Sequence, residues 1–218
     1  MPEPSIGVVI LTFNSGLEAV DCAETLLASA ERGGVPLRVA LVDNASTDDT
    51  VKQLRAWASG ERPYQTPPEV PFPVQPITKP LALVEGGQGL AASASDTQHQ
   101  VTLIETGENR GFAGGVNAGL AYLAQFPGIK HFWVLNPDSL VAPDSAGNLA
   151  EGLAGAGRYG LLGGRVNYLD PPGLVQIDGG LINWKTGVTS NYNIGKPITS
   201  ATPPTPAELD FITGASMV

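Results

Sequence analysis

Runs of apolar residues, each closing on polar ones, set the rhythm of this chain. Residues 6–15, IGVVILTFNS, are β-branched and continuous until Asn14 and Ser15. That is the pattern of a strand buried on both faces. Residues 16–32 then place Leu17, Val20, Ala23, Leu26 and Leu27 at helical spacing, and Gly33-Gly34 stops them. A second buried strand is predicted over 37–46, LRVALVDNAS, ending on Asp43-Asn44. The stretch 46–59, STDDTVKQLRAWAS, opens a helix with Ser46 as N-cap and Asp49 as its capping partner. Strand, helix, strand, helix in alternation predicts an α/β fold with a parallel, doubly wound sheet.

The rhythm breaks between residues 60 and 100. RPYQTPPEVPFPVQPITKP is proline-rich and EGGQGLAASASDTQHQ is small and polar. This reads as an irregular surface insertion, either an elaborated loop or a lid. The pattern resumes with a third strand over 101–111, a glycine-rich helix over 112–126 and a fourth strand over 130–140, KHFWVLNPDSL. A helix follows in PDSAGNLAEGLAGAG, then strands and turns in YGLLGGRVNYLD and VQIDGGLINWKTG. The extended segment ELDFITGASMV comes last. No repeat recurs at a fixed period.

Composition narrows the function. Of 218 residues, 42% are hydrophobic, enough for one sizeable core. The net charge of −9 argues against binding nucleic-acid phosphates, so no nucleic-acid partner is expected. An acidic chain can still hold a nucleotide through backbone N–H groups or a divalent cation. The single cysteine, Cys22, lies in a helical apolar pattern and reads as a small buried residue. Two histidines, His99 and His131, exclude a Cys–His zinc site by count, and both read as surface residues. The N-terminus has no basic leader, and no apolar run reaches membrane-spanning length. A soluble, cytoplasmic chain is expected, with room for peripheral contact at the inner face of a membrane.

Polar residues gather at the predicted strand ends, where open α/β sheets bind ligands. The first strand delivers Thr12, Phe13 and Asn14, and the second Asp43 and Asn44. The third delivers Asn109 and Arg110 into a glycine-rich turn, and the fourth Asn136 and Asp138. Taken singly, Asp43 reads as an Asx-turn or capping residue and Asp138 as a turn acid after Pro137. Four such ends in succession point to one cleft. There, Asp43 would accept hydrogen bonds from a ligand N–H or hydroxyl, and Asp138 would bind Mg2+ or Mn2+ through oxygen. NRGFAGGVNAGL lacks the G-x-G-x-x-G spacing and position of a dinucleotide site and the lysine of a P-loop. Its glycines read as close helix–sheet packing, compatible with a ligand at the helix N-terminus. Asn117, one turn in, reads as either a cleft residue or an exposed polar one.

The blocks VVILTFNS, LVDNASTDDT, ENRGFAGGVNAGL and VLNPDSL together resemble glycosyltransferase family 2, the inverting GT-A fold transferases, and especially a bacterial rhamnosyltransferase-like branch. The resemblance covers residues 6–164 apart from the insertion, and resumes at DFITGASMV. It implies a Rossmann-like GT-A domain over 1–218. Thr12 and Asn14 would lie in the first nucleotide-binding turn. Asp43, with Asn44 beside it, would meet the base of a nucleoside diphosphate sugar carrying dTDP, UDP or GDP. The block from Asn109 and Gly111 to Asn117 would flank nucleotide and sugar. Asn136-Pro137-Asp138 occupies the place of the family's D-x-D motif. Asp138 matches the metal-holding acid, while Asn136 departs from the first acid and offers only a neutral oxygen.

The implied reaction is attack of an acceptor hydroxyl on the anomeric carbon with inversion. The acceptor would be a glycan or lipid-linked chain in surface polysaccharide or cell-wall synthesis. The family's general base falls after the TGA segment, which leads to the expectation that it lies beyond Val218 and that the domain is C-terminally incomplete. The competing reading is a non-catalytic nucleotide-sugar-binding or interaction module. A pyrophosphorylase would need a basic glycine-rich loop after the first strand, where LTFNSGLEA stands. A Rossmann oxidoreductase is disfavoured by the glycine spacing.

Overall fold

The computed structural model describes residues 5–92, 100–157 and 159–218. His99 lies outside them. Among the described residues, ten strands and four α-helices follow one another as β1 (Ile6–Thr12), α1 (Gly16–Gly33), β2 (Leu37–Asp43), α2 (Thr50–Ser59), β3 (Leu83–Gly87), β4 (Val101–Glu105), α3 (Gly111–Leu123), β5 (His131–Leu135) and α4 (Ser145–Gly155). The short strands β6 (Val166–Asn167), β7 (Val175–Ile177), β8 (Gly180–Ile182), β9 (Thr189–Asn191) and β10 (Ser216–Met217) complete the order.

The main sheet runs β10-β5-β1-β2-β4-β3. Its four pairings among β1 to β5 are parallel, and β10 joins antiparallel against β5. The α/β reading with a mostly parallel sheet between helices therefore holds. Alternating side chains explain why β1 and β2 are buried throughout. Val8, Ile10, Val39 and Leu41 meet α1, α2 and α4, while Val9, Leu11, Ala40 and Val42 meet α3 on the other face. β1 sits where the order reverses. The chain moves from β1 to β2 in one direction and returns through α3 to β5 on the other side. That is the switch point at which open sheets take ligands.

Two features differ from the sequence pattern. Within the stretch read as irregular, Leu83–Gly87 forms an edge strand in parallel register with β4. Its glycines and short length hid it. Residues 61–82 have no helix or strand, yet they are tied down. Glu24 of α1 is fully buried and accepts from Trp57 Nε1 at 2.6 Å, the Ile77 backbone at 2.9 Å and Lys79 Nζ at 2.7 Å. A buried charge needs that many donors to replace its water. Second, α2 begins at Thr50, not at Ser46. Asp48 accepts the Thr50 N–H at 2.9 Å and its hydroxyl at 2.6 Å, and Ser46 is used elsewhere. As expected, residues 175–187 hold strands and turns, β7 and β8, and β8 pairs with β9.

The C-terminal part forms two small antiparallel pairs, β6-β7 and β8-β9. A polar hub holds them. Arg165 clamps Asp178 through Nε at 2.6 Å and Nη2 at 2.8 Å, and also reaches the Ala201 carbonyl. Asn193 donates to the same Asp178 oxygen and to the Thr202 carbonyl.

Candidate functional site

The C-terminal ends of the parallel strands lie in one row. Thr12 is in register with Asp43, Asp43 with Glu105, and Glu105 with Gly87. Backbone bonds extend the row beyond the strands, from Asn44 N–H to the Thr12 carbonyl and from Thr106 N–H to the Asp43 carbonyl. Asp43 and the turn after β5 flank β1 on opposite sides. They are two strand spacings apart, roughly 10 Å.

Asp43 is 2% exposed. Its Oδ2 accepts the Ser46 N–H at 3.1 Å, so the Asx-turn read as one alternative is real. Its Oδ1 is buried with no hydrogen-bond partner among the described residues. Buried carboxylate oxygens are normally satisfied, so an orphan at a strand end marks a place for a donor that the protein itself does not supply. The loop beside it is held tightly. Asn14, in the left-handed region at φ 51°, accepts the Thr47 N–H at 2.8 Å, and its own N–H donates to Ser46 Oγ at 2.9 Å. Ala45 at φ 64° is the strained member, since its Cβ gains nothing in return.

Asn44 is buried and fully engaged. Its Nδ2 donates to Asn109 Oδ1 at 3.0 Å and to the Gly111 carbonyl at 3.2 Å, and its Oδ1 accepts the Arg110 N–H at 3.1 Å. Asn109 Oδ1 also accepts the Gly111 N–H. Asn44 and Asn109 thus fix the start of α3 against β2. Gly111 has φ 67°, a conformation that suits glycine. The N-cap, Arg110, makes no side-chain cap bond; Asn109 takes the N–H of Gly111, the first residue of α3, in its place. Thr12 is buried, and its hydroxyl turns back to Ser15. Asn117 is exposed.

The turn after β5 is bound from two directions. Asn136 donates its N–H to the Ala215 carbonyl at 3.1 Å, and Trp133 Nε1 donates to Ser216 Oγ at 3.1 Å. From beneath, α1 supplies polar side chains. The Cys22 thiol lies 3.5 Å from the Asn136 carbonyl, Thr25 Oγ1 accepts the Val141 N–H, and Ser29 Oγ accepts the Ala146 N–H. Burial pushes the Cys22 thiol up, and the charges of Asp138 and Asp21 add to this. Cys22 is therefore a buried, protonated residue, as its pattern implied. Asp138 itself is exposed. Among the described residues, no group of three His, Cys, Asp or Glu side chains could hold a metal. Asp138 fits a hard cation only in the mode where one carboxylate serves and a ligand's phosphates complete the shell.

Sequence reasoning placed Phe13 at the end of the first strand but missed Phe112 on the rim. Phe13 and Phe112, 45% and 48% exposed, stand at the ends of β1 and the start of α3. Phe112 also approaches Gly214. Phe112 had read as an ordinary member of its helix. Its position directly after Gly111 was the available signal. His131 is a correction as well. It is half-buried, and its Nδ1 lies 2.8 Å from the Tyr159 hydroxyl. It borders a cavity of about 560 Å3 at the opposite end of β5, away from the row of strand ends. A second cavity of about 450 Å3 touches residues 213–215, next to the Asn136 turn.

No protein-family model matches the chain, and no curated protein matches it either. Among solved structures, the mannosyltransferase PcManGT from Pyrobaculum calidifontis, in complex with GDP-Man and Mn2+, is similar at 20% identity over 77% of this chain, with a TM-score of 0.46. S. aureus TarS 1–349 is similar at 14% identity over 69% of this chain, with a TM-score of 0.40, or 0.39 for its complex with UDP. This chain spans 37% of the mannosyltransferase chain and 32% of each TarS chain. No helix among the described residues is long and apolar enough to cross a membrane.

Proposed function

We propose that this chain carries the donor site of a glycosyltransferase of the GT-A type, which transfers a sugar from a nucleoside diphosphate to an acceptor hydroxyl. The observation that carries this reading is the unpartnered, buried Oδ1 of Asp43 at the end of β2. It is an acceptor suited to the N–H edge of a base. Support comes from three further features: the start of α3, whose N-cap Arg110 makes no side-chain cap bond, the exposed rings of Phe13 and Phe112, and Asp138 on the far side of β1.

In this reading the nucleoside lies across the ends of β1 and β2, with Asp43 on the base and Thr12 and Asn14 shaping the turn beneath it. Asn44, Asn109 and Gly111 position the α3 N-terminus toward the diphosphate, where backbone N–H groups favour negative charge. Asn117 flanks the sugar. Asp138 would hold Mg2+ or Mn2+, with Asn136 contributing a neutral oxygen, and the cation would stabilise the charge on the leaving diphosphate. Attack by the acceptor hydroxyl on the face opposite the leaving group gives inversion. The rhamnosyl branch, a surface-polysaccharide acceptor and a cytoplasmic setting belong to the same proposal through the sequence resemblance.

Calorimetric titration of the chain with UDP, GDP and dTDP, with and without Mn2+, tests it. One nucleotide should bind with strong cation dependence. Asp43→Asn should weaken binding more than ten-fold, and Asp138→Asn should abolish the cation effect. Absence of binding by all three would remove the reading.

A further inference from the structure

The cavity of about 450 Å3 lies between β7, β9 and the segment leading into β10. Gln176, Thr189, Asn191 and Thr213 give it amide and hydroxyl groups, Phe211 and Ala215 give it apolar wall, and no lining residue is charged. Such a lining offers donors and acceptors but no counter-charge, so it suits a neutral, hydroxyl-rich ligand and not a phosphate or carboxylate. Its position is fixed by covalent neighbours. Ala215 accepts the N–H of Asn136, two residues before Asp138, so one end of the cavity abuts the turn to which the donor diphosphate is assigned.

An exposed aromatic outside this lining is tied to it through Asp210, the residue before Phe211, and through Ile182, which is paired with Thr189. Trp184, in the turn between β8 and β9, is 78% exposed, although its Nε1 donates to Asp210 Oδ1 at 3.2 Å. The other oxygen of Asp210 accepts the Ile182 N–H at 2.8 Å. The same carboxylate thus anchors the indole and the β8 edge, and the next residue, Phe211, lines the cavity. An exposed indole whose N–H is already bonded presents a pre-oriented flat surface, the kind that packs on the apolar face of a sugar ring. Ordering it on binding costs little side-chain entropy, because it is already held.

We infer that this cavity and Trp184 together form an acceptor groove for a neutral oligosaccharide, with the terminal unit in the cavity and a preceding unit on the indole. The assignment of this sugar as acceptor rests on the transfer reading; the sugar-binding groove itself does not. It predicts that a chain of several units binds and that a monosaccharide does not, because only the chain reaches both features.

The chain's own fluorescence supplies the test. Of its three tryptophans, Trp57 and Trp133 are buried, so acrylamide quenching reports chiefly on Trp184. The probes are mannotetraose, chitotetraose, maltotetraose and a rhamnose tetrasaccharide, each beside its monosaccharide, together with phosphatidylglycerol/phosphatidylcholine vesicles. At least one tetrasaccharide should reduce quenching two-fold or more while its monosaccharide does not. Gln176→Ala should weaken that effect at least five-fold. In Trp184→Ala, the same tetrasaccharide should lose its perturbation of the Gln176 side-chain amide signal in NMR spectra. If no tetrasaccharide protects the indole, or if vesicles alone protect it, the groove is overturned in favour of an unused or membrane-facing surface. Nucleotide titration of the same preparation separates the two ideas. Nucleotide bound without sugar protection removes the groove and leaves the donor site, whereas sugar protection without nucleotide binding keeps the groove and removes the transfer reading.

Discussion

At the scale of single residues, buried charge separates what folds the chain from what it binds. Glu24 and Asp43 are both buried, but Glu24 has three donors and Asp43 leaves one oxygen empty. Lys79→Met should therefore destabilise the protein by about 3 kcal/mol, because the buried Glu24 loses its cation partner. The urea midpoint reads this, and the double variant Glu24→Gln, Lys79→Met should recover part of the loss. Asp43→Asn should behave in the opposite way. The amide keeps an oxygen for the Ser46 N–H and removes a buried charge, so the melting temperature should not fall even as nucleotide binding does. A clear drop in melting temperature would mean that Asp43 is structural. The site residues were legible to different degrees. Asp43 and Asp138 could be picked out because acids closing apolar runs are conspicuous. The clamp made by Asn44 could not, since an amide that bonds three residues 65 to 67 positions away leaves no local pattern.

At the scale of elements, α3 shows how packing distance is written into the chain. A Cβ at Gly119 would lie 2.8 Å from Val9 Cγ1 and 3.0 Å from Val42 Cγ2, while one at Gly115 would meet Leu11 Cδ1 at 2.3 Å. Valine is stiff at χ1 and both Val9 and Val42 are fully buried, whereas Leu11 is nearer the surface and its methyl can swing. Gly119→Ala should therefore cost about 2 kcal/mol net of its helix-propensity gain, and Gly115→Ala less, despite the shorter contact. Thermal denaturation of the pair checks the order. The glycine spacing was readable as close helix–sheet packing, and so were the strands and helices with long apolar periods. β3 was not, because LVEGG offers too few residues to establish a period. Its place in the sheet comes from the parallel ladder with β4 and from Arg55, which bonds Glu85 and Glu105 side by side.

At the scale of the whole molecule, the main sheet and the small C-terminal pairs hold together by different physics. The sheet rests chiefly on apolar burial on both faces. The small pairs have few buried apolar side chains and depend on the Arg165–Asp178–Asn193 hub. Burial alone would raise the Asp178 carboxyl, but hydrogen bonds from Arg165 and Asn193 and the Arg165 charge outweigh it and hold Asp178 below the usual range. A folded-state value below the unfolded one means that the contribution is fully present above about pH 4 and is lost as pH falls through the folded value. Acidification below about pH 4 should therefore loosen this region before the sheet. Hydrogen exchange should show β7 and β9 losing protection while β1 and β2 keep theirs. Arg165→Met should abolish this difference in acid sensitivity by destabilising the region at neutral pH as well, by about 3 kcal/mol, because Asp178 is then buried without its cation. The same hub supports the walls of the 450 Å3 cavity, since Asp178 directly follows β7. Loss of the hub should therefore remove any sugar-dependent protection of Trp184 while leaving nucleotide binding at the strand ends intact. Equal loss of both would show that the two regions fold as one unit.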